Sequence, residues 1–228
     1  MTESTTINLS STVAELQAAL EELADPRFLA VNQRQGNDHA VNLTKLRAVA
    51  KAVKTNQELA LGLWATGDTS SRLLALLICK PKAFSRGELD AMLRDARVPK
   101  VQEWLISYVV KKNPHCESLR IAWFADVDPV VASAGWELTV PQVTNKPELL
   151  DLPGLLDTIE SDMKQAPDRL QWAMNHALAE IGISHEEYRP RALAIGEKLQ
   201  VLADYPTSPG CTSPFAPIWI NEMVSRKA

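Results

Sequence analysis

The chain has 228 residues, 46% apolar and 23% charged, the balance of a globular protein long enough for one or two domains with a buried core. No apolar stretch approaches the ~20 residues of a membrane span. The polar start MTESTTINLSSTVAEL lacks the basic residues and apolar run of a secretory leader, so a soluble cytoplasmic protein is expected. The net charge of -4 argues against a broad nucleic-acid surface. Its distribution is uneven: residues 43–120 hold 14 lysines and arginines against seven acids, a net of +7 that leaves -11 on the rest. Such a segment is either a contact face for a polyanion or a set of solvated helix faces.

Nearly every segment reads as helix. Thr12 is placed to cap VAELQAALEEL, with Glu15 at the capping-box position. Residues 24–42 are polar and aperiodic, which predicts a loop. Asn42 reads as the N-cap of LTKLRAVAKAVK, where Leu43, Leu46, Val49, Ala50 and Val53 share a face. QELALGLWAT follows and stops at Gly67. Asp68 caps TSSRLLALLICK, and Ser85 caps RGELDAMLRDA with Glu88 three residues on. VQEWLISYVVKK and ESLRIAWFA come next. Asp126 and Asp128 precede Pro129 and are better explained as caps and first-turn charges than as a catalytic pair. The one β-rich stretch, WELTVPQVT, is interrupted by a proline. Three further helical segments lead to the Pro- and Ser-rich tail Tyr205–Trp219, expected to be irregular, and a last short helix, INEMVSRK.

Short helices joined by short turns predict antiparallel pairs whose apolar faces cannot all meet in one small bundle. Stacking the pairs solves this, so the expected fold class is all-α, an α-solenoid of degenerate HEAT-like helical repeats. The expected organisation is an N-terminal helix and loop over 1–40, partly flexible, a helical repeat domain over 41–204, and a Pro-rich C-terminal segment with a terminal helix over 205–228.

Signatures of catalysis are scarce. The nine glycines form no phosphate loop, and no HExxH, nucleophile elbow or CxxC occurs. Cys79, Cys116 and Cys211 are odd in number and match no metal-ligand spacing, so reduced thiols, no metal and no cofactor are expected. Six tryptophans (Trp64, Trp104, Trp123, Trp136, Trp172, Trp219) recur on successive helices. Each reads as a core residue, or one or two as aromatic faces in a groove that stack on a base. Trp172 and His176 lie four apart on one helix with Asn175 beside them. His176 reads as a buried, satisfied histidine or as part of that groove.

The segment NLTKLRAVAKAVKTNQELALGLWATGDTSSRLLALLICKP at 42–81 resembles the first repeats of the DNA alkylation repair proteins of the AlkD-like type. VVASAGWELTV at 130–140, QWAMNHALAEIG at 171–182 and the tail from Arg191 to Met223 resemble later parts of the same family, so the likeness covers roughly residues 40–225. The resemblance implies a HEAT-like solenoid that binds duplex DNA in a concave basic groove. It also implies excision of cationic alkylpurines at a site built from a Trp–Asp pair, an arginine and a further tryptophan. A carboxylate there stabilises positive charge on the deoxyribose, and aromatic faces attract the cationic base.

Carried over position by position, that site is replaced. Val98 stands at the tryptophan, Gln102 at the aspartate, Ser133 at the arginine, His176 at the later tryptophan and Ala179 at a second arginine. Gln102 offers no negative charge and Ser133 no cation, so little or no base excision is expected, with no catalytic residue assigned. The expected DNA contacts are Lys45, Lys51, Arg72, Arg86, Arg97 and Lys100. The groove candidates are Trp104, Trp136, Trp172, Asn175 and His176. The alternative is a non-catalytic repeat scaffold that binds a protein or peptide partner.

Overall fold

The computed structural model describes residue 8 and residues 10–227 of the chain. The opening of the segment expected to be partly flexible therefore lies outside the described residues. No strand occurs among the described residues, which form an all-α protein of 13 α-helices joined by turns and short 3-10 segments. The chain divides into two compact units, residues 1–116 and 117–228.

The first unit is built from α1 (Val13–Glu22), α2 (Pro26–Gln33), α3 (Leu43–Val53), α4 (Gln57–Ala65), α5 (Thr69–Ile78), α6 (Arg86–Asp95) and α7 (Pro99–Trp104). Its helix starts follow the capping chemistry. Thr12 with Glu15, and Ser85 with Glu88, form reciprocal capping boxes, while Asn42 and Asp68 accept from the first-turn amides of α3 and α5. α5 is the central element, burying Leu73, Leu74, Ala75, Leu76 and Ile78. Leu16 and Leu20 of α1, Leu46, Val49 and Val53 of α3, and Leu89 and Leu93 of α6 join the core from their own apolar stripes.

Two expectations fail here. Residues 24–42 are not all loop, because Asp25 caps α2 by accepting from the Arg27 amide, with Pro26 at the first helical position. α2 buries none of its residues, which explains why no apolar period announced it. The segment after α7 is not one regular helix either. It widens into a π-helix over Leu105–Val109 and tightens into a 3-10 turn over Val110–Lys112, with Leu105, Val109 and Val110 buried.

The second unit holds α8 (Cys116–Phe124), α9 (Pro129–Asn145), α10 (Leu152–Asp162), α11 (Asp168–Ser184), α12 (Arg189–Leu199) and α13 (Ala216–Ser225). Asp128 caps α9 from its side chain, Pro129 opens the helix, and the Asp126 carboxylate accepts from the Asp128 amide, as the cap reading requires. α9 and α11 are buried on most of their faces. Gly135 lets α9 pass against the backbone of α8: a Cβ there would sit 2.5 Å from the Phe124 Cα and 2.7 Å from the Trp123 carbonyl carbon. Ala173, Ala177 and Ala179 of α11 are buried in the same core.

Two further expectations are corrected in this unit. The stretch WELTVPQVT is helical, and α9 runs through Pro141 with Val140 and Val143 buried on either side. Tertiary packing outweighs the lost amide donor. The terminal helix begins at Ala216 rather than Ile220, so Pro217 and Trp219 belong to its first turn. Ala216 and Ile220 of α13 pack into the core of α9, α11 and α12.

Candidate functional site

The cations expected to contact DNA all lie in the first unit, but they differ in availability. Lys45 and Lys51 are exposed on α3, Arg86 on the first turn of α6, and Arg97 in the turn before α7. The Lys100 amide donates to Asn37 Oδ1 (2.8 Å), and its ammonium pairs with Glu103 at 2.5 Å. Arg72 is occupied. Its side chain is only 14% exposed, its guanidinium pairs with Asp95 and donates to the Trp64 carbonyl, and it stacks 4.8 Å over the Trp64 ring.

The charge count did not single out Arg47, Lys54 and Lys112. Arg47 donates to the Tyr108 hydroxyl (3.2 Å) and lies 4.8 Å over the Trp104 ring, while the Lys112 ammonium stands 5.6 Å over Tyr108. Arg47 and Lys51 sit at i and i+4 of α3, a spacing that could have found them, while Lys54 follows as the C-cap with a φ of 60°.

In the first unit, Gln102 is 5% exposed and donates from Nε2 to the Ala96 carbonyl, so it serves as an interior strut. Val98 is half-buried at the start of α7 and makes no side-chain cap. Trp104 is buried and meets Tyr108 edge-on at 5.2 Å, so as a groove candidate it is corrected to a core residue. Beside this core the Cys79 thiol is pushed up to about 11 by burial and is inert near neutral pH.

The same correction applies in the second unit to Trp136, buried against Phe124 at 4.6 Å, and to Asn175. Asn175 donates to the Pro214 carbonyl (2.9 Å), while its own side-chain carbonyl is buried with no partner. Ser133 is nearly buried and donates to the Val130 carbonyl, and Ala179 is fully buried. His176 departs from the buried, satisfied reading. Its side chain is 35% exposed, it stacks on Trp219 (5.3 Å between centroids, 16° between planes), and Nδ1 lies 3.4 Å from Glu137. Trp172 is exposed and meets Tyr205 edge-on at 5.1 Å. Of the five groove candidates, Trp172 and His176 keep surface to offer.

Among the described residues, no group of three or more His, Cys, Asp or Glu side chains could hold a metal ion. No helix among them is long and apolar enough to cross a membrane.

The fold is that of the HEAT-like helical-repeat proteins. A solved structure from a new family of proteins related to the HEAT-like repeat DNA glycosylases, with affinity for branched DNA structures, superposes with a TM-score of 0.74 at 24% identity, covering 95% of each chain. The DNA alkylation repair enzyme family matches residues 16–218, and the chain belongs to that family. No curated protein matches it.

Proposed function

We propose that this chain is a DNA-binding member of the alkylation repair family, working in the cytoplasm, that holds duplex DNA, damaged or alkylated, on the cationic surface of its first unit without excising bases. The observation that carries this reading is the state of the cations. Lys51, Arg86 and Arg97 form no ion pair among the described residues, Lys45 interacts with Asp25 only through weak charge attraction, and all four sit in the segment where bases outnumber acids two to one. A polyanion recovers the cost of placing like charges together through released counterions. The affinity of the related solved structure's protein for branched DNA supports adding a four-way junction to the substrates.

The test is a gel-shift series at rising salt on linear duplex and junction DNA, with Lys100→Glu and Arg97→Glu alongside. Binding should weaken with a log–log slope of roughly -0.9 per phosphate contacted, and both reversals should lower affinity. Absence of binding at low salt, or indifference to both reversals, removes the reading.

Excision is opposed by Gln102, which is neutral, buried and engaged with Ala96. Release assays on methylated DNA should therefore give no free base. Gln102→Asp should not restore it, because the shorter carboxylate leaves the Ala96 carbonyl unpaired and costs about 1–3 kcal/mol of stability, measurable by denaturant unfolding. A second reading, a scaffold for a basic protein or peptide, is favoured by the second unit, which carries 16 acids against nine bases and exposes Trp172 and Tyr205.

A further inference from the structure

We infer that Arg47 and Lys51 on α3 and Lys54 at its C-cap, with Lys112 beside them, form a preformed phosphodiester site that anchors the DNA backbone. This rests on the DNA-binding reading and names the place where that binding is strongest. Arg47, Lys51 and Lys54 border an open depression of about 320 Å³ whose remaining wall is Ala50, Thr55 and Leu77. The depression is open enough to admit a DNA backbone, and its wall contains no acid.

Three observations converge on an anion. First, α3 (LTKLRAVAKAV) has no acidic residue, so nothing on its own helix offsets these cations. Like charges at i, i+4 oppose helix formation, and a sequence that keeps them keeps an unfavourable arrangement unless something relieves it. Second, none of Arg47, Lys51, Lys54 and Lys112 pairs with a carboxylate among the described residues, whereas Arg27, Arg72, Arg94 and Lys100 of the same unit all do. Third, Arg47 is held in place. The Tyr108 hydroxyl accepts from one end of its guanidinium, the Leu43 carbonyl from the other, and the Trp104 ring lies beneath it. A planar donor fixed this way loses little freedom on gripping a phosphate, and its fork geometry suits two phosphate oxygens. The Tyr108 ring that fixes Arg47 also faces the Lys112 ammonium, so one buried-edge aromatic pair, Trp104 and Tyr108, organises two cations from different elements.

The test compares salt slopes on linear duplex DNA for three variants of the full chain. Lys51→Gln/Lys54→Gln removes two of the phosphate contacts and should reduce the slope by about 1.8. Lys80→Gln/Lys82→Gln removes the same charge from the exposed turn after α5 and should leave the slope nearly unchanged. Arg47→Lys keeps the charge but loses the fork and its stacking, so affinity should fall while the slope stays near that of the wild type. The four lysines are exposed, so thermal unfolding of the two lysine-pair variants should be unaffected, whereas Arg47→Lys should lower Tm slightly through its lost bonds to Tyr108 and Leu43. Equal slope changes for the two lysine pairs would mean that only total charge matters and would overturn the site, as would an unchanged slope for Lys51→Gln/Lys54→Gln. A wild-type chain that binds no DNA at low salt would remove the DNA reading itself, and the anchor with it.

Discussion

The two units use their charges in opposite ways. In the second, four of the five arginines are fastened to the protein: Arg120 to Glu117 and Thr139, Arg189 to the carbonyls of Gly182 and Ile183, Arg191 to Asp157 and Glu160, and Arg226 to Glu222. Acids remain in surplus there. In the first unit the surplus is basic, and Arg47, Lys51 and Lys54 are exposed with no carboxylate partner among the described residues. The formal charge difference between the units is therefore smaller than the difference in what each can offer. A guanidinium already satisfied by a carboxylate has its charge neutralised and little left for a phosphate, whereas Arg47, held only by neutral groups, keeps its full charge and its remaining N–H donors.

Packing sharpens the contrast and supplies the largest expected effect. At Gly135 a methyl group would overlap the α8 backbone, which cannot yield as a flexible side chain would. Gly135→Ala should destabilise the second unit by about 3 kcal/mol or more, seen as a large fall in Tm. Gly87, in the first turn of α6, has nothing within 4 Å of an added Cβ, so Gly87→Ala should raise stability by about 0.5–1 kcal/mol. Equal effects at the two glycines would erase the distinction between a closely packed helix crossing and an open helix surface.

Arg72 tests the distinction between a bound and an available cation inside the first unit. Arg72→Gln breaks the Asp95 pair and the stacking on Trp64, so it should cost about 1 kcal/mol in urea unfolding while leaving the DNA salt slope nearly unchanged. Lys51→Gln should do the reverse, with little change in stability and a clear change in slope. An Arg72→Gln variant that loses slope as Lys51→Gln does would show that ion pairing in the free protein does not decide which cations meet DNA.

Much of this fold was legible because helix starts are written locally. A capping side chain and the glutamate that answers it lie three residues apart, so Thr12, Ser85, Asn42, Asp68 and Asp128 could be placed without knowing any tertiary contact. What failed depends on packing. α2 has no buried face, so it has no period to detect, and only Asp25-Pro26 marks it. The helix through Pro141 is stabilised by Val140 and Val143 in the core, which outweighs a proline and a β-branched run. The widened turn at Leu105–Val109 has no local signal in its residues. The candidate site divides along the same line. Counting charge located the basic segment, but it could not separate occupied Arg72 from free Lys51. Nor could it show that Trp104 works from beneath the surface, as the floor on which Arg47 rests.

The smallest expected effect concerns partly exposed carboxylates, one in each unit. Asp25 is held down at about 2, chiefly by the Arg27 side chain, then by the Arg27 amide. Because the folded value lies below the ordinary 3.8, the stability this carboxylate gives to α2 is complete above about pH 4 and is lost as the pH falls through about 2. Glu160 in the second unit is also lowered, by hydrogen bonding and attraction from Lys198 and then by Arg191. The two should part under Arg27→Ala and Lys198→Ala in carboxyl-carbon NMR titrations. Asp25 should rise only partway toward 3.8, because the cap bond from the residue-27 amide survives the truncation. Glu160 should return most of the way, because side chains alone hold it. High salt should move Glu160 more than Asp25 for the same reason, since screening weakens charge attraction between solvated groups but leaves a short cap hydrogen bond in place. If Asp25 instead returned fully to 3.8 in Arg27→Ala, the helix cap would carry none of the shift, and α2 would depend on its arginine rather than on its capping geometry.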